Sequence, residues 1–296
     1  MTIFNFGSIN IDHVYSVDHF VRPGETMTSD HYQKILGGKG ANQSVALAKA
    51  GCDVVHVGAI SKQDTHLLAE LEAKGVNTEQ IATLDLATGH AIIQVNKEAE
   101  NAIVLFAGAN HALNAPQIKQ VLANADKNDW VLLQNETNEI DTIISTAKAH
   151  GLTVVYNPAP MDKSLVEKHL ADIDLLIVNE VEAMDLAGVD NVDAAQASLV
   201  GQHPNLQILM TLGAEGVRYL NGQEITQVPA FKVKAVDTTA AGDTFIGYAL
   251  AGFTSHLSVE NVLKQACAAS AICVTREGAS TAIPGHEEVS QFLKEK

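Results

Sequence analysis

Short apolar runs rich in β-branched residues alternate with alanine-rich stretches of helical spacing along this chain of 296 residues. The apolar runs predict strands that are buried on both faces. These predicted strands cover residues 2–6, 54–57, 130–134, 153–156, 175–178 and 207–211. The predicted helices between them cover residues 41–50, 66–74, 141–150 and 180–187. Because helices cross over from one parallel strand to the next, we expect an α/β fold with a mostly parallel central sheet flanked by helices.

Two segments, about 13–36 and 89–106, depart from this rhythm, since apolar and polar residues alternate in them. Such alternation predicts antiparallel strands with one face in water. We expect the two segments to pair into a small β-sheet that acts as a lid on the larger body. The chain shows no internal repeat and no linker-like stretch, which favours a single domain over residues 1–296.

The composition excludes several classes of protein. The chain has 19 Lys and Arg against 35 Asp and Glu, so its formal net charge is −16, which argues against a nucleic-acid partner. Its three cysteines are odd in number and lack metal-ligand spacing, which indicates a reducing compartment. The N-terminus lacks the basic region of a signal peptide, and the longest nearly apolar stretch, 266–274, is shorter than the ~20 residues of a membrane-spanning helix. We therefore expect a soluble cytoplasmic protein without a membrane partner.

Polar residues follow most of the predicted strands. Asn10 and Asp12 come after the first strand, Glu136 after strand 130–134, and Asn179 after strand 175–178. Each of these alone is more often a turn or cap residue. Ligands of open parallel sheets bind outside the carboxyl ends of the strands, however, and these residues share that edge. Their recurrence predicts a binding site there.

A glycine-rich segment, Gly-Gly-Lys-Gly-Ala-Asn-Gln at 37–43, opens the first predicted helix. Its glycines let a ligand approach the backbone closely. Asn42 can donate and accept hydrogen bonds at once, which suits a sugar hydroxyl. The spacing is neither that of a phosphate-binding Walker A loop nor that of a dinucleotide-binding turn. The alternative interpretation is a flexible turn that caps the helix.

The most specific segment, Val-Asp-Thr-Thr-Ala-Ala-Gly-Asp-Thr-Phe at 236–245, precedes a helical run at 246–253. Small residues at a helix start leave N–H groups free, and with the helix dipole they form an anion site suited to a phosphoryl group in transfer. Asp243 lies beside that site and could accept a proton from an attacking hydroxyl. The alternative is an ordinary N-cap, which Asp also favours.

Asn179 and Glu182 lie one helical turn apart, so their side chains can face the same way. Amide and carboxylate oxygens suit Mg²⁺, usually through water. For Glu182 alone, the favourable interaction of a carboxylate with the first turn of a helix is a sufficient alternative.

Taken together, these segments resemble the ribokinase-like carbohydrate kinases of the phosphofructokinase-B type. Further matching pieces are Pro-Gly-Glu-Thr at 23–26, Ala-Gly-Ala-Asn at 107–110, Asn-Pro-Ala-Pro at 157–160 and Thr-Leu-Gly at 211–213. The resemblance runs from about residue 7 to residue 279. It implies ATP-dependent transfer of the γ-phosphoryl group to a hydroxymethyl group of a small sugar, with D-ribose the expected acceptor. It also implies Mg²⁺, activation by K⁺, and a homodimer formed through the lid.

The resemblance assigns roles to individual residues. Asp243 is implied as the general base, with the backbone of Ala240, Ala241 and Gly242 as the anion site. The implied sugar-binding residues are Asn10, Asp12, Gly38, Lys39, Asn42, Glu136 and Asp243. The implied nucleotide-binding residues are Asn179, Thr211, Gly213 and Gly242, with Glu182 organising Mg²⁺. The residues implied around K⁺, mostly through carbonyl oxygens, are Asp237, Thr239, Cys273, Arg276 and Gly278.

Three departures from the family pattern bear on this assignment. Ile246 stands where Asn is common, Ala282 stands where Ser is frequent near the cation, and the loop at 61–64 is shortened. They leave open a related kinase for another sugar or a nucleoside, such as fructose, deoxyribose or pseudouridine. A non-catalytic sugar or nucleotide sensor on the same fold is a second alternative. A dinucleotide-dependent dehydrogenase is disfavoured, because no glycine-rich turn follows the first strand.

Overall fold

The computed structural model describes residues 1–98 and 100–296. In chain order its strands are β1 Thr2–Phe6, β2 Asn10–Ser16, β3 His31–Gly37, β4 Asp53–Ser61, β5 Asn77–Leu84, β6 Gly89–Val95, β7 Asn101–Phe106, β8 Trp130–Gln134, β9 Thr153–Asn157, β10 Leu175–Asn179, β11 Gln207–Thr211, β12 Val217–Asn221 and β13 Glu224–Val228. Its α-helices are α1 Lys39–Lys49, α2 His66–Glu72, α3 Ala115–Leu122, α4 Ile140–Ala149, α5 Lys163–Glu167, α6 Glu180–Ala187, α7 Val192–Gln202, α8 Ala241–Thr254, α9 Val259–Cys273 and α10 His286–Glu295.

The main sheet has nine strands in the order β13-β12-β11-β10-β9-β8-β1-β4-β5. The strands β11, β10, β9, β8, β1, β4 and β5 are parallel, and the hairpin β12–β13 adds an antiparallel edge. This confirms the predicted α/β architecture. The strand predicted at 54–57 continues to Ser61, because Gly58–Ser61 pair with β5 and lie in the interior.

Both faces of the main sheet are covered by helices, which makes the strands continuously apolar. Successive side chains of a strand point to opposite faces, so Ile3 packs with α1, α8 and α9 while Phe6 packs on the other side with α3 and α4. Gly51, Gly75 and Gly151 follow α1, α2 and α4 with φ of 93°, 89° and 72°, the left-handed conformation expected where a helix ends. Because these strands are parallel, their carboxyl ends all lie at one edge of the sheet.

A separate four-stranded sheet, called here the small sheet, has the order β3-β2-β6-β7. Its two hairpins, β2–β3 and β6–β7, are antiparallel as the alternation predicts. The contact between the hairpins is parallel, so the expectation of antiparallel pairing is wrong there. The reason is that both hairpins leave the main body side by side, with Asn10 opposite Gly89, and run outward together.

The outer strand β7 is exposed on both faces rather than one. Ile103 and Leu105 point to one side and Val104 and Phe106 to the other, and all four are at least half exposed.

Over the described part of the chain, no helix is long and apolar enough to cross a membrane.

Candidate active site

An open cleft lies at the carboxyl edge of the main sheet, beside the base of the small sheet. Its walls come from the glycine-rich segment, the ends of β9, β10 and β11, and the start of α8. The lining residues are Lys39, Asn157, Ala159, Ile177, Val178, Asn179, Glu182, Thr211, Thr238, Ala240, Ala241, Gly242, Asp243 and Ile246. Residues that the sequence scatters over more than 200 positions therefore meet in one place.

The start of α8 forms the floor of the cleft. Ala240 adopts a left-handed conformation, with φ 59° and ψ 9°, that turns the chain sharply into the helix. The Ala241 N–H is engaged in this turn, donating to Thr238 O at 3.2 Å, and the first intrahelical bond runs from Thr244 N to Ala240 O at 2.8 Å. The amides of Gly242 and Asp243 precede that bond and have no helical acceptor. With the positive end of a 14-residue helix behind them, they suit an anion.

The carboxylate of Asp243 is held from both sides by amides of the glycine-rich segment. Gln43 Nε2 donates to Asp243 Oδ1 at 2.9 Å, and Asn42 Nδ2 donates to Oδ2 at 3.1 Å. No side-chain cap is formed at this helix start, so Asp243 is not an ordinary N-cap. Burial raises the pKa of Asp243, and the positive charge of Lys39 together with the two amide donors offsets part of that rise.

The predicted sugar residues lie at the junction of the two sheets. Asn110 Nδ2 donates to Asn10 Oδ1 at 2.7 Å, which fixes the orientation of the Asn10 amide. The Lys39 N–H donates to Glu136 Oε2 at 3.1 Å. Asp12 projects from β2 against Gly37, where a β-carbon would lie only 1.9 Å from Asp12 Oδ2. Burial, and then the negative charge of Glu136, raise the pKa of Asp12 to about 6.

Gly38 is required for its backbone conformation, whereas Gly37 makes room for the Asp12 side chain. The φ of Gly38 is 91°, a conformation that favours glycine, and a β-carbon there would meet Ser8 O and Asn10 N at 2.9 Å. The glycine-rich segment is therefore a tight junction between β3 and α1, and the flexible-turn interpretation does not describe it.

Asn179 and Glu182 begin α6 as a capping box. Asn179 Oδ1 accepts from the Glu182 N–H at 2.8 Å, and Glu182 Oε2 accepts from the Asn179 N–H at 2.9 Å. This arrangement uses one carboxylate oxygen of Glu182 and leaves the other for the cleft. Burial raises the pKa of Glu182. Thr211 lies at the end of β11, next to Gly213 in a following turn of 3₁₀ helix.

The five residues predicted around a monovalent cation lie in the loop before α8 and at the end of α9 with the loop that follows it. Asp237 joins them, since Oδ1 accepts from the Thr239 N–H at 2.8 Å and Oδ2 accepts from the Gly278 N–H at 3.0 Å. Burial raises the pKa of Asp237, but these hydrogen bonds outweigh it and leave the pKa below its usual value. The Cys273 thiol donates weakly to Thr239 O at 3.8 Å, and the Arg276 guanidinium pairs with Glu288 on α10.

Side chains alone do not form a metal site in the described part of the chain. No three His, Cys, Asp or Glu residues group closely enough to hold an ion there. Any cation bound at the two loops would therefore depend on carbonyl oxygens, which are suitable ligands for hard cations.

The three departures from the family pattern take different positions. Ile246 lines the cleft and is otherwise buried, whereas Ala282 is buried and does not line the cleft. The shortened loop is one turn of 3₁₀ helix after β4. It is tied to the base of β6, because the Thr88 hydroxyl donates to Asp64 Oδ2 at 2.6 Å.

Sequence reasoning missed a set of buried polar side chains behind Asp243. Asn5 and Gln134 lie within strands, and Ser44 and His56 lie on neighbouring elements. A polar residue inside an apolar strand was the available signal, but its hydrogen-bond partners are distant in the chain and no local pattern identifies them.

The chain is similar to known proteins over its whole length. The sequence profile described as pfkB family carbohydrate kinase matches residues 2–285. A ribokinase of Haemophilus influenzae is 38% identical, covering 99% of this chain and 98% of its own. A deoxyribokinase of Salmonella typhi is 31% identical, covering 99% of both chains.

Solved structures agree with these relatives. The structure of a Cryptococcus neoformans ribokinase in complex with ADP has a TM-score of 0.86, with 36% identity and 98% coverage of both chains. That of an Arabidopsis thaliana ribokinase complexed with ribose and ATP has a TM-score of 0.85, with 26% identity and coverage of 99% of this chain and 98% of its own. On the family match and these near full-length similarities, the chain belongs to the pfkB family of carbohydrate kinases.

Proposed function

We propose that this protein is an ATP-dependent kinase that phosphorylates the hydroxymethyl group of D-ribose to give D-ribose 5-phosphate. The observation that carries the proposal is the placement of Asp243. Its carboxylate is oriented by Asn42 and Gln43, at the start of a helix whose Gly242 and Asp243 amides have no helical acceptor. A base beside an anion site is what phosphoryl transfer to an alcohol requires.

The proposed reaction uses Asp243 as the proton acceptor. As the sugar oxygen forms its bond to the γ-phosphorus, its proton passes to Asp243 and the bond from phosphorus to ADP breaks. Charge develops on the phosphoryl oxygens, where the amides of Gly242 and Asp243 and the helix dipole stabilise it. The raised pKa of Asp243 makes it a better proton acceptor than an exposed aspartate, while the amide donors and the charge of Lys39 favour its ionised form.

The proposed acceptor site is the group of amides and carboxylates at the base of the small sheet. Asn10, Asp12, Asn42 and Glu136 offer several donors and acceptors within a small space, with Gly38 and Lys39 beside them, which suits a compact polyol. The Haemophilus and Arabidopsis ribokinases support ribose as the acceptor. Deoxyribose is the second candidate, favoured by the similarity to the Salmonella deoxyribokinase.

The small sheet is proposed to act as a lid formed by about 13–36 and 89–106, because it borders the acceptor site and could exclude water, the competing acceptor. Its exposed outer strand β7 is the proposed contact of a homodimer. Free thiols at Cys52, Cys267 and Cys273 support the cytoplasm as the place of action.

ATP is proposed to bind along the ends of β10 and β11, near Asn179, Thr211 and Gly213. The free oxygen of Glu182 fits an indirect contact with Mg²⁺ through water, and such an ion, when bound, offsets phosphate charge. The loops joined by Asp237 fit K⁺, with Asp237, Thr239, Cys273, Arg276 and Gly278 around it, mostly through carbonyl oxygens. Ala282 supplies no hydroxyl there, so we expect weak K⁺ affinity.

A coupled assay of ADP formation over a panel of acceptors tests the proposal. The panel includes ribose, deoxyribose, fructose and pseudouridine, each with Mg²⁺ and with or without K⁺. We expect the highest kcat/KM with ribose and a rise on adding K⁺. A nucleoside preference without ribose turnover would refute the assignment. Sugar binding without ADP formation from any acceptor would indicate a sensor instead.

A further inference from the structure

A continuous series of buried polar side chains leads from Asp243 into the interior. Gln43, Gln134 and Asn5 form its first part, and all three are 0% exposed. Ser44 and His56, equally buried, complete it. Buried polar groups are costly unless they are hydrogen-bonded, so an apolar core would have been the simpler solution at this position.

The hydrogen bonds fix the direction in which each amide points. Gln134 Nε2 donates to Gln43 Oε1 at 2.8 Å and to Asn5 Oδ1 at 2.9 Å. The nitrogen of Gln43 therefore faces away, and donates to Asp243 Oδ1 at 2.9 Å and to Asn157 Oδ1 at 3.1 Å. Turning the Gln43 amide would set its oxygen against the carboxylate and its N–H against another N–H. Gln43 is thus held as a donor to Asp243.

The far end of the series is anchored on a backbone carbonyl. His56 Nε2 lies 3.0 Å from Gly7 O, which can only accept, so the proton is on Nε2. The other ring nitrogen then accepts from the Ser44 hydroxyl at 2.8 Å. Ser44 Oγ accepts in turn from Asn5 Nδ2 at 2.8 Å. Burial lowers the pKa of His56 to about 4, so the ring is neutral near pH 7. Each group in the series therefore keeps its role as donor or acceptor.

We propose that Gln43 is a positioning residue for Asp243, held in its donating orientation by Gln134 and, through it, by Asn5. The inference rests on the proposed function, in which Asp243 is the base. With Asn42 on Oδ2 and Gln43 on Oδ1, the plane of the carboxylate is fixed. Each oxygen keeps lone-pair capacity, so one can accept the proton of the sugar hydroxyl.

The same contact contributes to the pKa of Asp243. Burial raises its pKa, while the charge of Lys39 and the Gln43 and Asn42 donors lower it, and the charge of Glu136 raises it. The negative charge of Asp243 also acts on the Cys273 thiol, which lies on α9. Loss of the Gln43 donor removes one contribution that favours the ionised form. The pKa of Asp243 then rises further, and a smaller fraction is ionised at acidic pH.

Gln43→Met, which keeps the length of the side chain and removes its donor, tests the inference. We expect kcat for the sugar to fall roughly 10- to 100-fold, with KM changed less than about 3-fold. We also expect the acidic limb of the kcat–pH profile to move upward by about one pH unit. Gln207→Met is the matched control, since that side chain accepts from Tyr219 Oη at 2.6 Å at the opposite edge of the sheet. It should leave the profile in place.

Gln134→Met tests the same chain of contacts without touching Asp243 directly, and it serves if Gln43→Met does not fold. We expect a smaller shift of the acidic limb in the same direction. The double variant should be no worse than Gln43→Met alone, because both act through one hydrogen bond. An unmoved acidic limb in folded variants of an active enzyme overturns the inference, even if thermal stability falls. A wild-type protein that forms no ADP with any sugar overturns the proposed function instead.

Discussion

Asp243 and Asp12 both have a raised pKa, but their surroundings give them different properties. Asp243 accepts two amide hydrogen bonds and lies near Lys39, so stabilising contacts accompany its burial. Asp12 is buried next to another carboxylate, Glu136, and both effects raise its pKa in the same direction. Contacts that favour the ionised form therefore offset part of the rise in the pKa of Asp243, whereas no such contact lowers the pKa of Asp12, which is about 6.

Replacing the proposed base should abolish most turnover while the fold is kept. We expect Asp243→Asn to lower kcat by roughly 10²- to 10⁴-fold, because an amide cannot take up the proton of the attacking hydroxyl. The measurement is kcat in the coupled ADP assay, with the melting temperature and ATP binding as controls for folding. Turnover within tenfold of the wild type would show that Asp243 is not the base.

The pKa of Asp12 predicts a pH dependence of sugar binding. Its pKa is raised to about 6, so the carboxylate is present above that pH and is lost as the pH falls through it. We expect KM for the sugar to increase below pH 6, since a protonated acid is the weaker acceptor for sugar hydroxyls. Asp12→Asn should raise KM by roughly 10- to 100-fold at pH 7 and remove its pH dependence.

Asp18→Asn provides the control for that experiment, because Asp18 is an exposed carboxylate just beyond β2 that pairs with Lys97. It should leave KM and its pH dependence unchanged. A KM for the wild type that stays flat from pH 5 to pH 7 would contradict the role of Asp12.

At the level of elements, Asn179 should serve both helix α6 and the nucleotide. We expect Asn179→Ala to destabilise the protein by about 1 kcal/mol through loss of the cap, and to raise KM for ATP. Asn191→Ala removes the equivalent cap of α7, where Asn191 Oδ1 accepts from the Ala194 N–H at 3.0 Å. This control should lower the free energy of unfolding to a similar extent without changing KM. Equal KM values in both variants would restrict Asn179 to capping.

The parallel elements could be predicted because their sequences carry the signal locally. Runs such as 130–134 and 207–211 are apolar at their centres, and the polar residues that follow them mark the ligand edge. The hairpin β12–β13 gives a weaker signal, since polar residues such as Arg218 interrupt its apolar pattern. The parallel contact between β2 and β6 could not be predicted, because the direction of a pairing depends on where both hairpins leave the body.

The candidate site likewise contains residues that the sequence could identify and residues that it could not. Asp243, Asn42 and Glu136 could be identified because glycines, small residues or strand ends surround them in the sequence. Asn5 and Gln134 could not, because they lie 129 residues apart and only the folded sheet brings their amides to 2.9 Å. Each of these buried side chains is polar because the other is its hydrogen-bond partner.

At the level of the whole molecule, the exposed edge of the small sheet predicts self-association. Val104 is 69% exposed and Phe106 is 52% exposed, although both are large and apolar. We expect the double change Val104→Lys and Phe106→Lys to shift a dimer toward monomer in sedimentation velocity, because it places charges on the proposed contact. The melting temperature of the main body should change little, since neither side chain is in its core.

Ile225→Lys is the matched control, because Ile225 is an equally exposed apolar residue on the edge strand β13 of the main sheet. It should leave the sedimentation coefficient unchanged. A wild-type protein that is monomeric at all concentrations, or a β7 variant that remains dimeric, would contradict the proposed contact.

The order of the chain separates the two halves of the proposed reaction. The side chains proposed to hold the acceptor lie between residues 10 and 136, apart from the shared base, while those proposed for the nucleotide and cations lie between 179 and 278. The two groups meet only across the cleft. A crossover between two homologous genes near the codons for 137–150 would thus pair one parent's choice of carbohydrate with the other's handling of ATP, and recombination offers this lineage a short route to new acceptors.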